Sequence, residues 1–517
     1  MTTLLNRVAV FALAAVLTAC GATPTPSSDL PPQLIPAMPL PDKTIDHAIA
    51  RLDGLAEALM ASSGVPGMAV AVVHGGKTLY AKGFGVRDST KGERVDADTV
   101  FQLASLSKPV AATVVAHQVG AGAIGWDTPM ADALPWFSLS DPSVTGMLTV
   151  ADLFAHRSGL PDHAGDLLED LGFDRRTILQ RLHLLPLNPF RASYAYTNFG
   201  VTAAAEAVAA VAGKSWEDLS ADVLYRPLAM NSTSSRFADY QARADKAVGH
   251  VRVGDSYQPQ YTRDPDPQSP AGGVSASVND LTHWLTMLLG NGNYQGATVV
   301  DPTALLPALT PQMVSSPPAQ PAMRSGFYGY GFNIATSPAG RVRLSHSGAF
   351  ALGAATNFVV IPQADVAIVA LTNAAPSGVP ETLTAEFADL VEFGEIREDW
   401  RKLYTEAFAG MQRPFGSLAG AAPPARPAPS RPLPTLMGTY VNDYWGRATV
   451  AEKEGKLTLA IGPRPTFYEL THWDGDVFTF ALTSENAPPG SVSKAAFDGD
   501  RLTLEYFDED RMGTFTR

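Results

Sequence analysis

The sequence is poor in cysteine, because its 517 residues contain one, Cys20. A single cysteine excludes an intrachain disulfide and any metal or iron–sulfur centre that needs several cysteine ligands. Charged residues are also sparse, at 17%, and 51 acidic residues against 38 basic ones give a net charge of −13. Binding to nucleic acid requires a basic surface, so we expect no nucleic-acid partner.

Several catalytic motifs are missing as well. There is no G-x-S-x-G, which disfavours an α/β-hydrolase. There is no H-E-x-x-H and the ten histidines are scattered, so we expect neither a metal nor a cofactor. Gly213-Lys214-Ser215 resembles the end of a P-loop, but Val208 stands where the first glycine is required.

The amino-terminal residues predict an exported lipoprotein. Arg7 precedes a short apolar run, and Leu17 to Cys20 resembles a bacterial lipobox, which is cut before a cysteine that is then lipidated. We therefore expect a signal peptide over 1–19 and a membrane anchor on Cys20, at the periplasmic face of a bacterial membrane and preferably the outer one. The alternatives are an ordinary signal peptide with a chance cysteine, or the outer surface of a Gram-positive cell.

Two proline-rich segments divide the remaining chain. Residues 20–42 and 413–434 contain seven prolines each, a composition typical of extended tethers and linkers. This predicts a tether over 20–42, a domain over 43–412, a linker over 413–434 and a second domain over 435–517.

The first domain carries helical and strand patterns in turn. Apolar spacing predicts a helix over 45–60, and alternating runs predict hairpins over 68–84 and 357–371. The middle is rich in helices and loops, and 381–410 is again helical. Strand pairs at both ends with helices between them predict an α/β (α+β) sandwich, in which helices flank one antiparallel sheet.

The second domain has a different pattern. Short alternating runs are separated by turns at Glu454-Gly455, Asp474-Gly475 and Asp498-Gly499. This pattern predicts an up-and-down β meander that closes into a small barrel.

Ser105 to Lys108 form an S-x-x-K sequence. On a helix, residues three apart share a face, so Lys108 can lie beside the Ser105 hydroxyl and act as its base when neutral. The apolar residues after Pro109 predict a buried helix with Ser105 at its amino-terminal end. A second S-x-x-K, Ser491 to Lys494, falls in the β meander, where we interpret it as a solvated loop.

Two further motifs contain polar side chains suited to acyl transfer. Tyr196-Thr197-Asn198 is a Y-x-N, in which the phenol can move a proton and the amide can hold Lys108 and a substrate carbonyl. His346-Ser347-Gly348 is an H-x-G before the second hairpin, where small residues let a substrate backbone approach the strand. Each motif also has matches elsewhere, which we interpret as structural: Tyr440-Val441-Asn442, His74-Gly75-Gly76 and His163-Ala164-Gly165.

The order of these motifs carries the interpretation. Ser105, Tyr196 and His346 follow one another at intervals of 91 and 150 residues within one predicted domain. With them, residues 43–410 resemble the serine β-lactamase/penicillin-binding-protein superfamily, and most closely the class C-like hydrolases that include peptidases and esterases. Four further elements strengthen the resemblance: His156 to Leu160, Ala271 to Ser275, Asp280 and Tyr328 to Gly331. The second domain is similar to the lipocalin-like domains attached to some of these enzymes.

The resemblance implies a role for each residue. Ser105 is the acylated nucleophile, Lys108 and Tyr196 are the general-base pair, and Asn198 orients Lys108 and the substrate. His346 and Gly348 line the substrate strand. The oxyanion hole consists of the backbone N–H groups of Ser105 and Ala349.

One residue departs from the lactamase pattern, because His346 stands where β-lactamases and transpeptidases commonly carry lysine. A mostly neutral histidine is a poor partner for a substrate carboxylate. We therefore expect a small-molecule or peptide substrate with an amide bond, with D-residues among the candidates. The alternatives are a carboxylesterase with the same site, a β-lactamase, and a non-catalytic sensor lipoprotein. Loops 161–192 and 250–270 are expected to set specificity, and the β domain to act as a spacer or cap rather than as a ligand binder.

Overall fold

A computed structural model describes residues 30–517. The predicted signal peptide and the lipidation site at Cys20 lie outside the described residues. Within them, no helix is both long enough and apolar enough to cross a membrane. The end of the proline-rich segment is attached to the first domain, because Arg341 Nη2 donates a hydrogen bond of 2.6 Å to Met38 O.

The α-helices vary from one turn to twenty residues. In chain order they are α1 (Thr44–Ser63), α2 (Ser107–Gly120), α3 (Met130–Ala133), α4 (Pro142–Met147), α5 (Val150–Phe154), α6 (Asp166–Asp170), α7 (Arg175–Arg181), α8 (Asn198–Ala212), α9 (Trp216–Ser220), α10 (Phe237–Ala242), α11 (Ser269–Gly272), α12 (Val278–Leu289), α13 (Pro302–Leu305), α14 (Val379–Phe393) and α15 (Trp400–Phe408).

The strands form one large sheet, one barrel and three short pairs. In chain order they are β1 (Gly67–His74), β2 (Lys77–Gly85), β3 (Phe101–Gln102), β4 (Val251–Val253), β5 (Ser256–Gln258), β6 (Ser275–Ala276), β7 (Asn293–Tyr294), β8 (Ala297–Thr298), β9 (Met313–Ser316), β10 (Gly326–Tyr328), β11 (Asn333–Thr336), β12 (Val342–Phe350), β13 (Ala354–Ile361), β14 (Val366–Thr372), β15 (Gly438–Asn442), β16 (Gly446–Lys453), β17 (Lys456–Ile461), β18 (Thr466–Asp474), β19 (Val477–Leu482), β20 (Ser491–Asp498), β21 (Arg501–Leu504) and β22 (Thr514–Thr516).

The large sheet is antiparallel throughout, in the order β2-β1-β14-β13-β12-β11-β10-β9. Both faces of its centre are buried, which explains the continuous apolar sequence of β1. Met68, Val70 and Val72 pack in the core with α1 and α14, whereas Ala69 and Ala71 belong to the core on the other face. The hairpins and terminal helices thus confirm the predicted sandwich.

Helix α2 is the centre of the helical region. Its residues from Ser107 to Ala116 are all buried, as the apolar sequence around the whole helix predicts. Pro109 is the third residue of the helix, where a missing backbone N–H leaves no hydrogen bond unmade. The amino-terminal end of α2 therefore lies deep in the first domain and faces β12.

The second domain is a closed barrel of eight antiparallel strands, β15 to β22, joined in sequence order. This confirms the predicted meander and its closure. The interpretation of Ser491 to Lys494 as a solvated loop was wrong, because these residues open β20 and Ser491 is fully buried. The predicted linker also contacts the barrel: Arg431 forms an ion pair of 2.6 Å with Asp476.

Candidate active site

Ser105 lies in a strained turn. Residues Ala104–Leu106 form a 3₁₀ turn that runs directly into α2 at Ser107, so Ser105 precedes the helix as the sequence predicts. Ala104 has a φ of 49°, which is unfavourable for a residue with a Cβ. Such strain persists where the surroundings fix the backbone, and here Thr356 Oγ1 donates a hydrogen bond of 2.7 Å to Leu103 O.

Strand β12 passes close to this turn at Gly348. A Cβ at this position would lie 2.0 Å from Leu103 O and 3.0 Å from Leu106 N. Only glycine therefore lets the strand come this near to the backbone around Ser105. This close approach explains why the third position of the H-x-G motif, Gly348, must be a small residue.

Lys108 Nζ meets three oxygen atoms. It lies 2.6 Å from Asn198 Oδ1, 3.1 Å from Ala271 O and 3.1 Å from Ser105 Oγ. The first two atoms are carbonyl oxygens, which can only accept hydrogen bonds. A neutral amine has two protons, and both are used by these carbonyls, so its lone pair is left for the Ser105 hydroxyl. The arrangement suits a base that accepts the Ser105 proton.

Burial makes the neutral form of Lys108 accessible. The side chain is fully buried, and its Nζ lies 4.5 Å from the centre of the Tyr196 ring. Burial lowers the pKa of Lys108 to about 7, while the nearby Asp166 carboxylate acts in the opposite direction. At neutral pH a large fraction of Lys108 is therefore unprotonated.

The backbone on either side of Tyr196 is held by His156. Ala195 N donates to His156 O at 3.0 Å, and Thr197 N donates to His156 Nδ1 at 3.1 Å. Burial raises the pKa of Tyr196 well above its ordinary value, and a hydrogen bond with Ser105 acts against that shift. Tyr196 is thus a neutral phenol at pH 7, suited to donate a proton rather than to act as the resting base.

His346 is neutral and its tautomer is fixed. Nδ1 lies 2.6 Å from Ser347 O, which can only accept, so Nδ1 carries the proton. Nε2 then accepts a hydrogen bond of 2.9 Å from the Tyr328 hydroxyl. Burial lowers the pKa of His346 to about 3, with a smaller effect from Lys108. The third motif therefore offers a polar but uncharged surface.

Asn198 and two residues that sequence reasoning missed continue this network. Asn198 Nδ2 donates to Asp166 Oδ2 at 2.8 Å, and His163 Nδ1 lies 2.8 Å from the same oxygen. His163, which we interpreted as structural, lies in the turn before α6 and lines the cavity over Ser105. The signal available was its position three residues before an aspartate that begins a helix.

A cavity of about 600 Å³ opens over these side chains. Ser105, Tyr196, Asn198 and His346 line it, together with Ala349. Pairing between β11 and β12 ends at Asn333 and Ser345, which leaves the rest of the β12 edge open beside the cavity. The structure thus places Ala349, a predicted oxyanion donor, on the same cavity as Ser105. Among residues 30–517, no three histidine, cysteine or acidic side chains are grouped to hold a metal ion.

The barrel supplies part of the cavity wall. Its contribution is aromatic and acidic and consists of Tyr444, Trp445, Glu485, Asn486, Pro488, Tyr506, Phe507, Glu509 and Asp510. The carboxylate of Glu485 accepts hydrogen bonds from Ala351 N at 2.7 Å and from Leu352 N at 3.2 Å. The barrel therefore contacts the chain directly after the strand that carries His346.

A buried cluster of charges joins the two domains at this point. Arg263 forms an ion pair of 2.6 Å with Glu169 and approaches Glu485 to 3.8 Å, while Ser484 Oγ donates to Asp170 at 2.7 Å. Burial raises the pKa of Glu169 to about 7 and that of Glu485 to about 8. One arginine thus compensates more than one buried carboxyl group.

Comparison with known proteins agrees with this architecture. The Beta-lactamase family model matches residues 52–393, and the domain of unknown function DUF3471 matches residues 422–510. The chain is 25% identical to the unguisins hydrolase ungD of Aspergillus violaceofuscus (strain CBS 115571), over 80% of each chain. It is 29% identical to penicillin-binding protein 4 of Amycolatopsis lactamdurans, over 74% of this chain and 95% of that one.

A solved structure extends the likeness to both domains. The octameric penicillin-binding protein homologue from Pyrococcus abyssi superposes with a TM-score of 0.60 at 18% identity, covering 91% of this chain and all of that one. At this identity the match concerns the fold. The family model covers well over half of the sequence and includes Ser105, Tyr196 and His346. The chain therefore belongs to the Beta-lactamase family of serine hydrolases and carries a second, barrel domain behind it.

Proposed function

We propose that this protein hydrolyses an amide or peptide bond through an acyl-enzyme on Ser105, with Lys108 as the base. One observation carries the proposal: two carbonyl oxygens take up the protons of a neutral Lys108 and leave its lone pair for Ser105 Oγ, 3.1 Å away. A weak hydroxyl nucleophile needs such a base within hydrogen-bond reach.

Acylation follows from this geometry. Ser105 Oγ attacks the substrate carbonyl carbon while its proton passes to Lys108 Nζ, and the carbonyl oxygen gains the negative charge. The backbone N–H groups of Ser105 and Ala349 are the proposed donors to that oxyanion, and each is worth about 3 kcal/mol in comparable chemistry. The C–N bond then breaks, and the leaving amine takes the proton of the neutral Tyr196, which regains one from Lys108.

Deacylation uses Lys108 again as the base, with water as the nucleophile and Ser105 as the leaving group. Water loses a proton to Lys108 as its oxygen bonds to the acyl carbon. When the intermediate collapses, the bond to Ser105 Oγ breaks, and the proton returns from Lys108 to that oxygen. Asn198 keeps Lys108 in place throughout, since its Oδ1 lies 2.6 Å from Nζ.

The charges around the cavity favour a substrate without a carboxylate at the third motif. His346 is neutral there. Of the described residues that line the cavity, Arg263 is the one arginine or lysine, and it already pairs with Glu169 and Glu485. A penicillin or the carboxyl end of a peptide would therefore find no unpaired arginine or lysine among the described lining residues, which supports an amide recognised elsewhere along its chain.

A carboxylesterase is the second candidate. The observation that favours it is the aromatic wall of Trp445, Phe507 and Phe350, which suits an apolar acyl or alkoxy group. An ester also needs less help from Tyr196, because an alkoxide can leave without prior protonation far more readily than the anion of an amine.

One experiment separates these cases. The p-nitroanilide and the methyl ester of D-alanine, and then the L-alanine pair, would be hydrolysed with hydroxylamine present. A shared acyl-enzyme predicts the same ratio of hydroxamate to free acid from both members of a pair, and no turnover in Ser105→Ala. Different ratios, or turnover in Ser105→Ala, contradict the mechanism. If only the esters are cleaved, the protein is a carboxylesterase. If neither the anilides nor the esters are cleaved, the result favours a non-catalytic sensor protein.

The proposal also places the enzyme outside the cytoplasm, anchored by a lipid on Cys20. The lipobox-like sequence Leu17 to Cys20 supports it, followed by proline-rich residues long enough to hold the domain off a membrane. In bacteria, Cys20→Ser should move the protein from the membrane to the soluble fraction and abolish labelling by a palmitate analogue. Unchanged sedimentation with the membranes would contradict the lipid anchor.

A further inference from the structure

A buried chain of polar groups runs behind Lys108, away from Ser105. Asn198 lies between Lys108 and Asp166, with its Oδ1 2.6 Å from Nζ and its Nδ2 2.8 Å from Asp166 Oδ2. His163 Nδ1 lies 2.8 Å from the same carboxylate oxygen. The side chain of Asp166 is 5% exposed, and its second oxygen has no hydrogen-bond partner.

This chain fixes the orientation of the Asn198 amide. A carboxylate can only accept hydrogen bonds, so the NH₂ group must face Asp166 and the carbonyl oxygen must face Lys108. The opposite orientation would put NH₂ against the Lys108 amine and oxygen against a carboxylate oxygen. Without Asp166, the other described hydrogen-bond partner of the Asn198 side chain is Lys108, and a neutral amine can donate to the amide oxygen or accept from the NH₂ group.

The turn that holds Asp166 is built against the Y-x-N segment. His163 N donates to Tyr196 O at 2.7 Å, and Asp166 N donates to His163 O at 3.0 Å. Gly165, between them, has a φ of 94°, and a Cβ there would lie 2.8 Å from the Phe199 ring. The position of the carboxylate is therefore linked to Tyr196 and to helix α8 at the same time.

We infer that Asp166, held by His163, is a positioning residue that fixes the Asn198 amide and places a negative charge behind Lys108. Its hydrogen bonds go to Asn198 and His163 and not to Ser105, so it acts on the nucleophile through Asn198 and Lys108. The inference rests on the proposed function and extends it, because it assigns control of the base to residues outside the three motifs.

Other charges face the same group. Three titratable side chains from other elements lie near Lys108, and all are neutral at pH 7. Burial raises the pKa of Tyr196 and lowers the pKa of His156 and His346. Asp166 is the acidic group that acts on Lys108, and it keeps the pKa of that amine higher than burial alone would. Around Asp166 itself lie His163, whose pKa that carboxylate raises, the exposed Asp162, and Glu169.

The test is the pH profile of kcat/KM in Asp166→Asn. The new amide oxygen still accepts from Asn198, so the orientation is kept and the charge is lost. Since activity needs neutral Lys108, the acidic limb of the profile should move to lower pH by about one unit. Asp162→Asn is the matched control: it removes a carboxylate from the same turn, but one that is 66% exposed, so its limb should move by less than about 0.3 unit.

A second pair of variants tests orientation. Asp166→Ala removes both the charge and the acceptor, so its limb should shift in the same direction and its maximal kcat/KM should fall at least about tenfold below that of Asp166→Asn. His163→Gln should lower the maximum less than Asp166→Ala, because Asn198 keeps its carboxylate. The inference would be overturned if the acidic limb of the kcat/KM profile lay at the same pH in wild type and Asp166→Asn. It would also be overturned if Asp166→Ala kept the maximal kcat/KM of the wild type.

A titration of Lys108 by NMR needs no substrate and therefore tests this inference independently of the proposed function. In protein labelled with ¹³C-lysine, the Lys108 Cε signal is assigned by its loss in Lys108→Met and titrated in wild type, Asp166→Asn and Asp162→Asn. A lower pKa of Lys108 in Asp166→Asn alone supports the inference, and identical titrations in all three proteins contradict it. Turnover that survives Ser105→Ala would refute the proposed function and leave this titration as a decisive result.

Discussion

Two segments of this chain share the sequence S-x-x-K but differ in secondary structure. Ser105 and Lys108 lie where a 3₁₀ turn enters helix α2, so their side chains meet at 3.1 Å. Ser491 and Lys494 lie in strand β20, where residues three apart point to opposite faces. Ser491 Oγ donates to Pro488 O at 2.6 Å, and Lys494 pairs with Glu505 at 3.4 Å.

The two Y-x-N sequences differ in the same way. Tyr196 lines the cavity and Asn198 begins helix α8 beside Lys108, whereas the Tyr440 hydroxyl donates to Leu436 O inside the barrel. Asn442 accepts backbone N–H groups in the turn that follows. A short motif therefore supplies chemistry only when its secondary structure brings its side chains together.

The largest effect is expected when the base is removed. Lys108→Met fits a fully buried site without leaving a charge, and kcat/KM should fall by about 10³-fold or more because no other amine contacts Ser105 among residues 30–517. Lys494→Met, the same change in the barrel motif, removes a partly exposed ion pair far from Ser105 in the sequence and should leave kcat/KM unchanged. Steady-state kinetics on both variants tests this, and similar losses in both would contradict the comparison.

A smaller loss is expected when β12 is pushed away from Ser105. In Gly348→Ala the new Cβ would meet Leu103 O at 2.0 Å, so the strand must move and kcat/KM should fall by about 10²-fold. Gly146→Ala is the control, since a Cβ there meets nothing within 4 Å. Retention of full activity in Gly348→Ala would show that the close approach is not needed.

The contact between the two domains should depend on pH. Burial raises the pKa of Glu485 to about 8 in the folded protein, so the folded state holds this proton more tightly than the unfolded one. Its contribution to stability is fully present below the ordinary pKa of 4.5, is still large at pH 5 and is mostly lost by pH 8, a difference on the order of 3 kcal/mol.

Urea unfolding at pH 5 and pH 8 measures this difference. Glu485→Gln should reduce the decline in the free energy of unfolding between these two pH values. The control is Glu454→Gln, an exposed turn residue of the barrel, which should show the wild-type decline. If the free energy of unfolding of Glu485→Gln fell by as much as that of the wild type between pH 5 and pH 8, Glu485 would not be the source of the pH dependence.

The smallest effect is expected at the second serine. Ser491→Ala removes a buried hydroxyl that bonds Pro488 O and Phe415 N, and should cost about 1 to 2 kcal/mol of stability with no change in kcat/KM. Thermal unfolding and kinetics on one sample check both statements. A loss of activity without a loss of stability would give the barrel motif a catalytic role.

Much of the fold could be predicted because its signals are local. The hairpins, the apolar sequence of α2 and the Asp-Gly and Glu-Gly turns of the barrel each report on a few neighbouring residues. The Ser105 to Lys108 contact could be predicted for the same reason, since helical spacing alone brings the two residues together.

The rest of the site depends on contacts between distant residues. Asp166 meets Asn198 across 32 positions, and Glu485 of the barrel meets Ala351 across 134. No periodicity records such pairs, which is why the contact between Asp166 and Asn198 and the aromatic and acidic wall from the barrel could not be predicted. The burial of Ser491 was missed because a polar sequence motif does not reveal which face of a strand lies inside a barrel.

The most direct test of the central claim compares the two serines by mass. Wild type, Ser105→Ala and Ser491→Ala are treated with a fluorophosphonate, and the adduct is mapped by peptide mass spectrometry, with benzylpenicillin in a parallel sample. Our account predicts one fluorophosphonate adduct on Ser105 in wild type and Ser491→Ala, none in Ser105→Ala, and no stable penicillin adduct. A fluorophosphonate adduct that persists in Ser105→Ala, or its absence from wild type, would contradict the account.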